Sequence, residues 1–226
     1  AVLPEGYKYY ILKYDNESDM FPYARLEYAY YKMCCDSGIL MKHSELKRFD
    51  RCSHFITERF DRTQEGKVHM QSLAALTGGA SSYEEAFNVV RRLKLDYADK
   101  EQLFRMMVFN VLGGNIDDHD KNFSFILTPD GKWIPSPAYD VTFTVNLQNP
   151  FRSDRHAMTI EECNRNITMP QFVRLAESND ISGAKEIVQE IADTVLSFQN
   201  KSTEPLVTTV WKDTISPYIK TQTDCL

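Results

Sequence analysis

Two hydrophobic periods run through this chain and divide it into recognisable elements. Residues 8–14, Lys-Tyr-Tyr-Ile-Leu-Lys-Tyr, concentrate aromatic and β-branched side chains and predict a strand. Residues 15–22 are rich in Asp, Asn, Ser and Pro and predict a loop. Leu26, Ala29, Tyr30 and Met33 then recur at i, i+3, i+4 and i+7, one apolar stripe on a helix over 25–36 that Gly38 closes. Residues 54–60 predict a second strand.

The character changes after Gly66. Residues 72–76 and 83–93 predict helices. The stretch 100–112 is a stronger one, with Leu103, Met106, Met107 and 109–112 forming a broad apolar face before Gly113-Gly114 ends it. A compact polar run follows at 115–122. Residues 123–127 and 133–134 flank Pro129-Asp130-Gly131 and predict a β-hairpin. The chain turns helical again from Pro170, and Ile187, Val188, Ile191, Val195 and Phe198 share a helical period over 184–198. The sum is an α+β protein. A small partial β lobe over residues 1–65 precedes a mostly helical lobe over 66–226.

Composition narrows the class. The chain has 226 residues, 42% of them hydrophobic, enough for a substantial core. No apolar run reaches the roughly 18 to 20 residues that span a bilayer, and no basic-then-apolar leader precedes the first strand. The expectation is a cytoplasmic protein with no membrane partner. The sequence starts at Ala1 without Met, as a fragment or a processed chain would. A net charge of −6 argues against nucleic acid as a direct partner. The five cysteines have neither C-x-x-C nor zinc-ligand spacing and read as reduced thiols.

The chemistry concentrates in Gly114-Asn115-Ile116-Asp117-Asp118-His119-Asp120-Lys121-Asn122-Phe123-Ser124. A charged run of this kind ordinarily faces water. Its spacing argues for more. Asp117-x-x-x-x-Asn122 matches the kinase arrangement in which a carboxylate takes the proton of the acceptor hydroxyl and an amide oxygen meets a metal ion. Asp117-x-His119-x-x-Asn122 also matches the D-x-H-x-x-N loop of phosphoinositide-type kinases. Beyond the hairpin comes Pro137-Ala138-Tyr139-Asp140, without the Phe-Gly of a D-F-G. Mg²⁺ takes one or two carboxylates together with phosphate oxygens and water, which Asn122 and Asp140, on facing strand ends, would complete. A kinase further needs a cation on the ATP phosphates, held by a carboxylate. Lys13 on the first strand and Glu27 on the following helix are the candidates. Asp118 is the alternative base.

Four ordered motifs bring these residues to a family. They are His54-Phe55-Ile56-Thr57-Glu58-Arg59-Phe60-Asp61-Arg62; His69-Met70-Gln71; Phe109-Asn110-Val111-Leu112 with the acidic loop through Ser124; and Ser136-Pro137-Ala138-Tyr139-Asp140. Together they resemble the HipA-like serine/threonine kinases, toxins of bacterial toxin–antitoxin pairs, from about residue 9 to 144 and more weakly to about 200. The resemblance implies a bilobal kinase-like fold related to phosphoinositide kinases, with ATP and Mg²⁺ as cofactors. It implies a protein substrate, characterised members acting on aminoacyl-tRNA synthetases, and an antitoxin partner. By position, Lys13 would bind ATP phosphates with Glu27 orienting it. Glu58 and Phe60 would belong to the hinge at adenine. Asp117 would be the base, His119 and Lys121 would position phosphate or base, and Asn122 and Asp140 would be the Mg²⁺ ligands.

One feature of the family is missing from this sequence. Its members carry a Gly- and Ser-rich phosphate loop before the lysine strand, and here only residues 1–8 precede that strand. The expectation is that a separate N-terminal subdomain, in cis or on another polypeptide, supplies it. Two other readings stay open: a small-molecule or lipid kinase, and a non-catalytic module with a kinase fold.

Overall fold

The computed structural model describes residues 3–4, 6–15, 22–49, 52–145, 154–197, 209 and 211–226. Most of the expected loop over 15–22, and Phe198 of the last expected helix, lie outside them.

The first strand, β1 (Tyr10–Lys13), leads to helix α1 (Tyr23–Asp36) and then to β2 (Ser44–Phe49) and β3 (Cys52–Glu58). These strands form one antiparallel sheet in the order β1-β3-β2, with Lys13 opposite Phe55. The apolar stripe of α1 is buried at Leu26, Ala29, Tyr30 and Met33, as its periodicity predicts. Gly38, at φ +70°, lets Ile39 N–H return to the Cys34 carbonyl at 2.9 Å and turns the chain toward β2. Strand β2 escapes the sequence reading because Ser-Glu-Leu-Lys-Arg-Phe has a single aliphatic residue, and its far end is exposed. What makes it a strand is backbone pairing with β3.

One short antiparallel pair, β4 (Arg62–Thr63) and β5 (Gly66–Lys67), leads to β6 (His69–Ser72). Ser72 then caps α2 (Leu73–Thr77), accepting from Ala75 N–H. Helix α3 (Tyr83–Arg92) starts with a Ser82–Glu85 capping box and α4 (Tyr97–Gly113) with an Asp96–Asp99 one. After a single 3₁₀ turn at Asp120–Asn122 come β7 (Ser124–Leu127) and β8 (Trp133–Pro135). The expected hairpin is therefore present, but it belongs to a three-stranded sheet, order β6-β7-β8. His69-Met-Gln-Ser has no strand pattern of its own and becomes β6 through its ladder with β7. The remaining named elements are helical: α5 (Met169–Glu177), α6 (Ala184–Ser197), a π turn at Trp211–Ile215 and α7 (Ser216–Thr223). No helix among the described residues is long and apolar enough to cross a membrane.

Helix α4 is the centre of the core. From Leu103 to Gly113 every residue except Arg105 is buried, so it packs on all sides instead of along one stripe. Tyr30 of α1 donates to the Gly113 carbonyl at 2.5 Å, satisfying an acceptor that the helix end leaves unpaired. Gly114 follows in the left-handed conformation, φ +70°, and its N–H returns to Asn110 O. A Cβ there would lie 2.7 Å from the Phe143 ring and 2.9 Å from Tyr218. Gly114→Ala is therefore expected to destabilise the fold by about 2 kcal/mol or more, from left-handed strain and overpacking together. Urea denaturation checks this, and an unchanged midpoint would refute it.

Candidate active site

Strand β1 ends on Lys13, and the sheet points it back toward α1. Its ammonium lies 2.7 Å from Glu27 Oε1 and 2.5 Å from Asp140 Oδ1, so two ion pairs join three segments far apart in sequence. The partners differ in setting. The Glu27 side chain is 12% exposed and fixed on α1, whereas that of Asp140 is 53% exposed and able to turn away. Burial acts to lower the Lys13 pKa, but the charges and hydrogen bonds of Glu27 and Asp140 outweigh it and carry it above its ordinary value. Burial pushes the Glu27 carboxyl up, and Lys13 reverses only part of that. Both ends of the pair thus shift upward, the lysine through its partners and the carboxyl through burial. The lysine has two carboxylates in its favour, while Glu27 has one cation and feels the like charge of Asp140.

Asp140 is consequently not a lone carboxylate. It sits at φ +57°, a left-handed backbone that Asp tolerates and most residues avoid. Both of its flanks are tied to the acidic loop. On one side Tyr139 OH donates to the Lys121 carbonyl at 2.7 Å and lies 2.6 Å from Ser124 Oγ. On the other, Thr144 Oγ1 accepts from Ile116 N–H at 2.8 Å and from Asp117 N–H at 3.1 Å, and Thr144 N–H returns to Gly114 O. The 139–144 segment thus holds the loop at its beginning and its end. Neither Tyr139 nor Thr144 is among the sequence candidates, because such bonds span positions that no local pattern connects.

Within the loop, Asp117 projects outward with its side chain 65% exposed, and His119 Nε2 lies 3.8 Å from its Oδ1, too far for a hydrogen bond. His119 Nδ1 is buried without a hydrogen-bond partner among the described residues. Asn122 lies in the 3₁₀ turn rather than at a strand end, and Asp140 lies beyond β8, so the expected facing strand ends are replaced by a turn and a returning segment. The Asn122 amide nitrogen donates to the Asp117 carbonyl at 2.9 Å, which leaves the amide oxygen as the group able to face a cation. That orientation, with the turnable Asp140 carboxylate, suits the oxygen ligands that Mg²⁺ takes. Lys121 is exposed and contributes its carbonyl. Asp118, the alternative base, is fully buried and is not placed to receive a proton from a substrate.

The two hinge candidates part company. The Phe60 ring packs on Tyr139 with centroids 5.5 Å apart, next to Asp140. The Glu58 carboxylate pairs with Lys8 at 2.8 Å, which holds its pKa below the ordinary value. The Glu58 and Arg59 N–H groups are both committed, to His43 O and Tyr9 O. Any contact of this segment with a base has to use other groups.

A small sheet with a helix-held lysine, set over a helical body that carries an Asp-x-x-x-x-Asn loop, defines a kinase-like α+β fold. Two solved structures share it. HipA of Shewanella oneidensis, in its complex with HipB and operator DNA, superposes with a TM-score of 0.74 at 18% identity, over 96% of this chain and 57% of that one. The Helicobacter pylori proinflammatory kinase CtkA superposes with a TM-score of 0.66 at 12% identity, over 97% of this chain and 88% of that one. The chain belongs to the HipA-like C-terminal domain family, whose model matches residues 2–200. The serine/threonine-protein kinase toxin HipA of S. oneidensis is 33% identical over 81 residues, 36% of this chain and 18% of the relative. The putative kinase Y4dM of Sinorhizobium fredii is 35% identical over 94 residues, 39% of this chain and 23% of the relative. The chain thus spans about a fifth of the curated relatives it matches.

The shifts in the Lys13 cluster are open to measurement. Because Lys13 lowers the Glu27 pKa, Lys13→Met is expected to move the Glu27 titration further up, as followed by carboxyl-carbon NMR. A midpoint that stays or falls would show that the lysine does not hold this carboxylate.

Proposed function

We propose that this chain is the phosphotransferase body of a HipA-like toxin kinase, using ATP and Mg²⁺ to phosphorylate a serine or threonine hydroxyl of a protein. The observation that carries the reading is Lys13 bridging Glu27 and Asp140 beside the Asp117–Asn122 loop. Bound ATP with Mg²⁺ would supply the phosphoryl group and neutralise developing charge. Lys13, held by Glu27, would orient the phosphates. Asn122, through its amide oxygen, and Asp140, released from Lys13, would hold the metal. The exposed Asp117 carboxylate would take the proton of the acceptor hydroxyl as its oxygen bonds to phosphorus and the bond to the leaving diphosphate breaks. An outward-facing base suits an acceptor presented by a macromolecule. An aminoacyl-tRNA synthetase or another translation protein is the substrate class that the family resemblance favours. Since the HipA neighbour was solved with HipB and operator DNA, an antitoxin partner is part of the proposal, and DNA would be met through that partner.

Asp117→Asn is expected to slow phosphoryl transfer by about 10²- to 10⁴-fold with an unchanged circular dichroism spectrum. Transfer at near wild-type rate from folded protein would place the base elsewhere.

Asp140→Ala is expected to weaken Mg²⁺-dependent ATP binding in calorimetry much more than it lowers thermal stability, because its ion pair with Lys13 is largely exposed. Unchanged affinity and metal dependence would remove Asp140 from the metal site. With the N-terminal subdomain supplied, a wild-type chain that binds Mg²⁺–ATP but transfers its phosphate to no acceptor would favour the non-catalytic module. Comparing phosphosites across a proteome, with and without expression, separates a protein kinase from one that acts on small molecules or lipids.

A further inference from the structure

The acidic loop carries two adjacent carboxylates in opposite surroundings. The Asp117 side chain is 65% exposed and that of Asp118 is 0% exposed. A fully buried carboxylate is tolerated only when its oxygens are met by donors, and Asp118 has four. Tyr83 OH donates to Oδ2 at 2.7 Å, and His156 Nδ1 lies 3.0 Å from the same oxygen. The N–H groups of Ala157, at 2.8 Å, and Met158, at 3.4 Å, donate to Oδ1.

These donors come from two places, the first turn of α3 and the segment 156–158. The network then closes on itself. Asn110 of α4 donates to Tyr83 OH at 3.1 Å, and Asn115, at the start of the same loop, donates to Asn110 Oδ1 at 2.9 Å. Ala157 N–H lies within bonding distance of the Ile116 carbonyl as well, at 3.1 Å. The Tyr83 ring stands edge-on to Phe123, just after the loop, with centroids 5.7 Å apart. Burial and the Asp118 charge push the Tyr83 pKa well above its ordinary value, so the hydroxyl keeps its proton and remains a donor.

We infer that Asp118 is a positioning residue for Asp117, with Tyr83 and His156 as its fixed donors. The carboxylate locks the 117–118 peptide to α3 and to the 156–158 segment. That lock turns the neighbouring side chain outward, in register with the amide of Asn122. The catalytic consequence rests on the kinase reading above; the mechanical one does not. Displacing a reacting group by about 1 Å costs on the order of 10²-fold in rate.

Asp118→Asn keeps the shape but replaces an oxygen acceptor with an NH₂ group facing two donors. The expected result is phosphoryl transfer slowed about 10²-fold, with KM for ATP within about twofold of wild type. Amide hydrogen exchange should quicken across residues 116–122 while α4 and α6 stay protected. If Asp118→Asn does not fold, Tyr83→Phe, which removes one hydroxyl, is read in the same assays with a smaller shift in the same direction. If the wild-type chain transfers no phosphate even with the N-terminal subdomain supplied, the kinase reading fails and hydrogen exchange alone decides the inference. Loop protection equal to wild type would overturn it. So would protection lost evenly through α4 and α6, which marks general destabilisation, or a rise in KM with kcat unchanged.

Discussion

The turn that ends α4 is the constraint on which the rest of the structure depends. A helix buried on all sides has to give up its last carbonyls inside the protein, where water cannot meet them. Tyr30 takes one of them, and the left-handed Gly114 N–H takes another. Phe143 and Tyr218 press on the same glycine. Helix α1 of the small sheet, the segment beyond Asp140 and the C-terminal helix α7 therefore converge where the acidic loop begins. The loop leaves a rigid core element at a fixed angle, and its polar groups are set by what surrounds that exit.

Two kinds of electrostatic balance operate on either side of this turn. At Lys13 the balance is open. One carboxylate is buried and fixed, the other is exposed and turnable, and the lysine between them is stabilised by both. Such a cluster can exchange one partner for a phosphate or a metal without leaving an uncompensated charge in the interior. At Asp118 the balance is closed. Every partner among the described residues is a protein donor, and the side chain is fully buried, so the carboxylate serves as a fastening. Two neighbouring residues of the same type thus differ in exposure and in the partners that meet them.

The relation between sequence and structure is clearest at particular residues. The stripe of α1, the hairpin turn at Gly131 and the Gly114 stop were legible because each follows from local periodicity or backbone freedom. Lys13 and Glu27 were legible as candidates from their places on the first strand and the following helix, and Asp140 from its place beyond the hairpin; the structure brings the three together. Strands β2 and β6 were not legible, since their side chains carry no strand pattern and their pairing partners are distant. Neither were Tyr139 and Thr144, whose hydrogen bonds hold the loop from across the fold. Asp118 read as a second candidate base because its chemical type matches that of Asp117. Its burial is a property of α3 and the 156–158 segment.

By itself the sequence determined the α+β composition, the order of the helices, the position of the acidic loop and the family. These depend on residue type, spacing and the backbone needs of single positions, all written locally along the chain. Only the tertiary structure decided which carboxylate faces solvent and which is locked inside, that Lys13 is shared between Glu27 and Asp140, and that Glu58 turns to Lys8. Those outcomes depend on solvation and on distances between segments remote in sequence, because the same side chain is solvated at one position and an anchor at the next, where four donors enclose it.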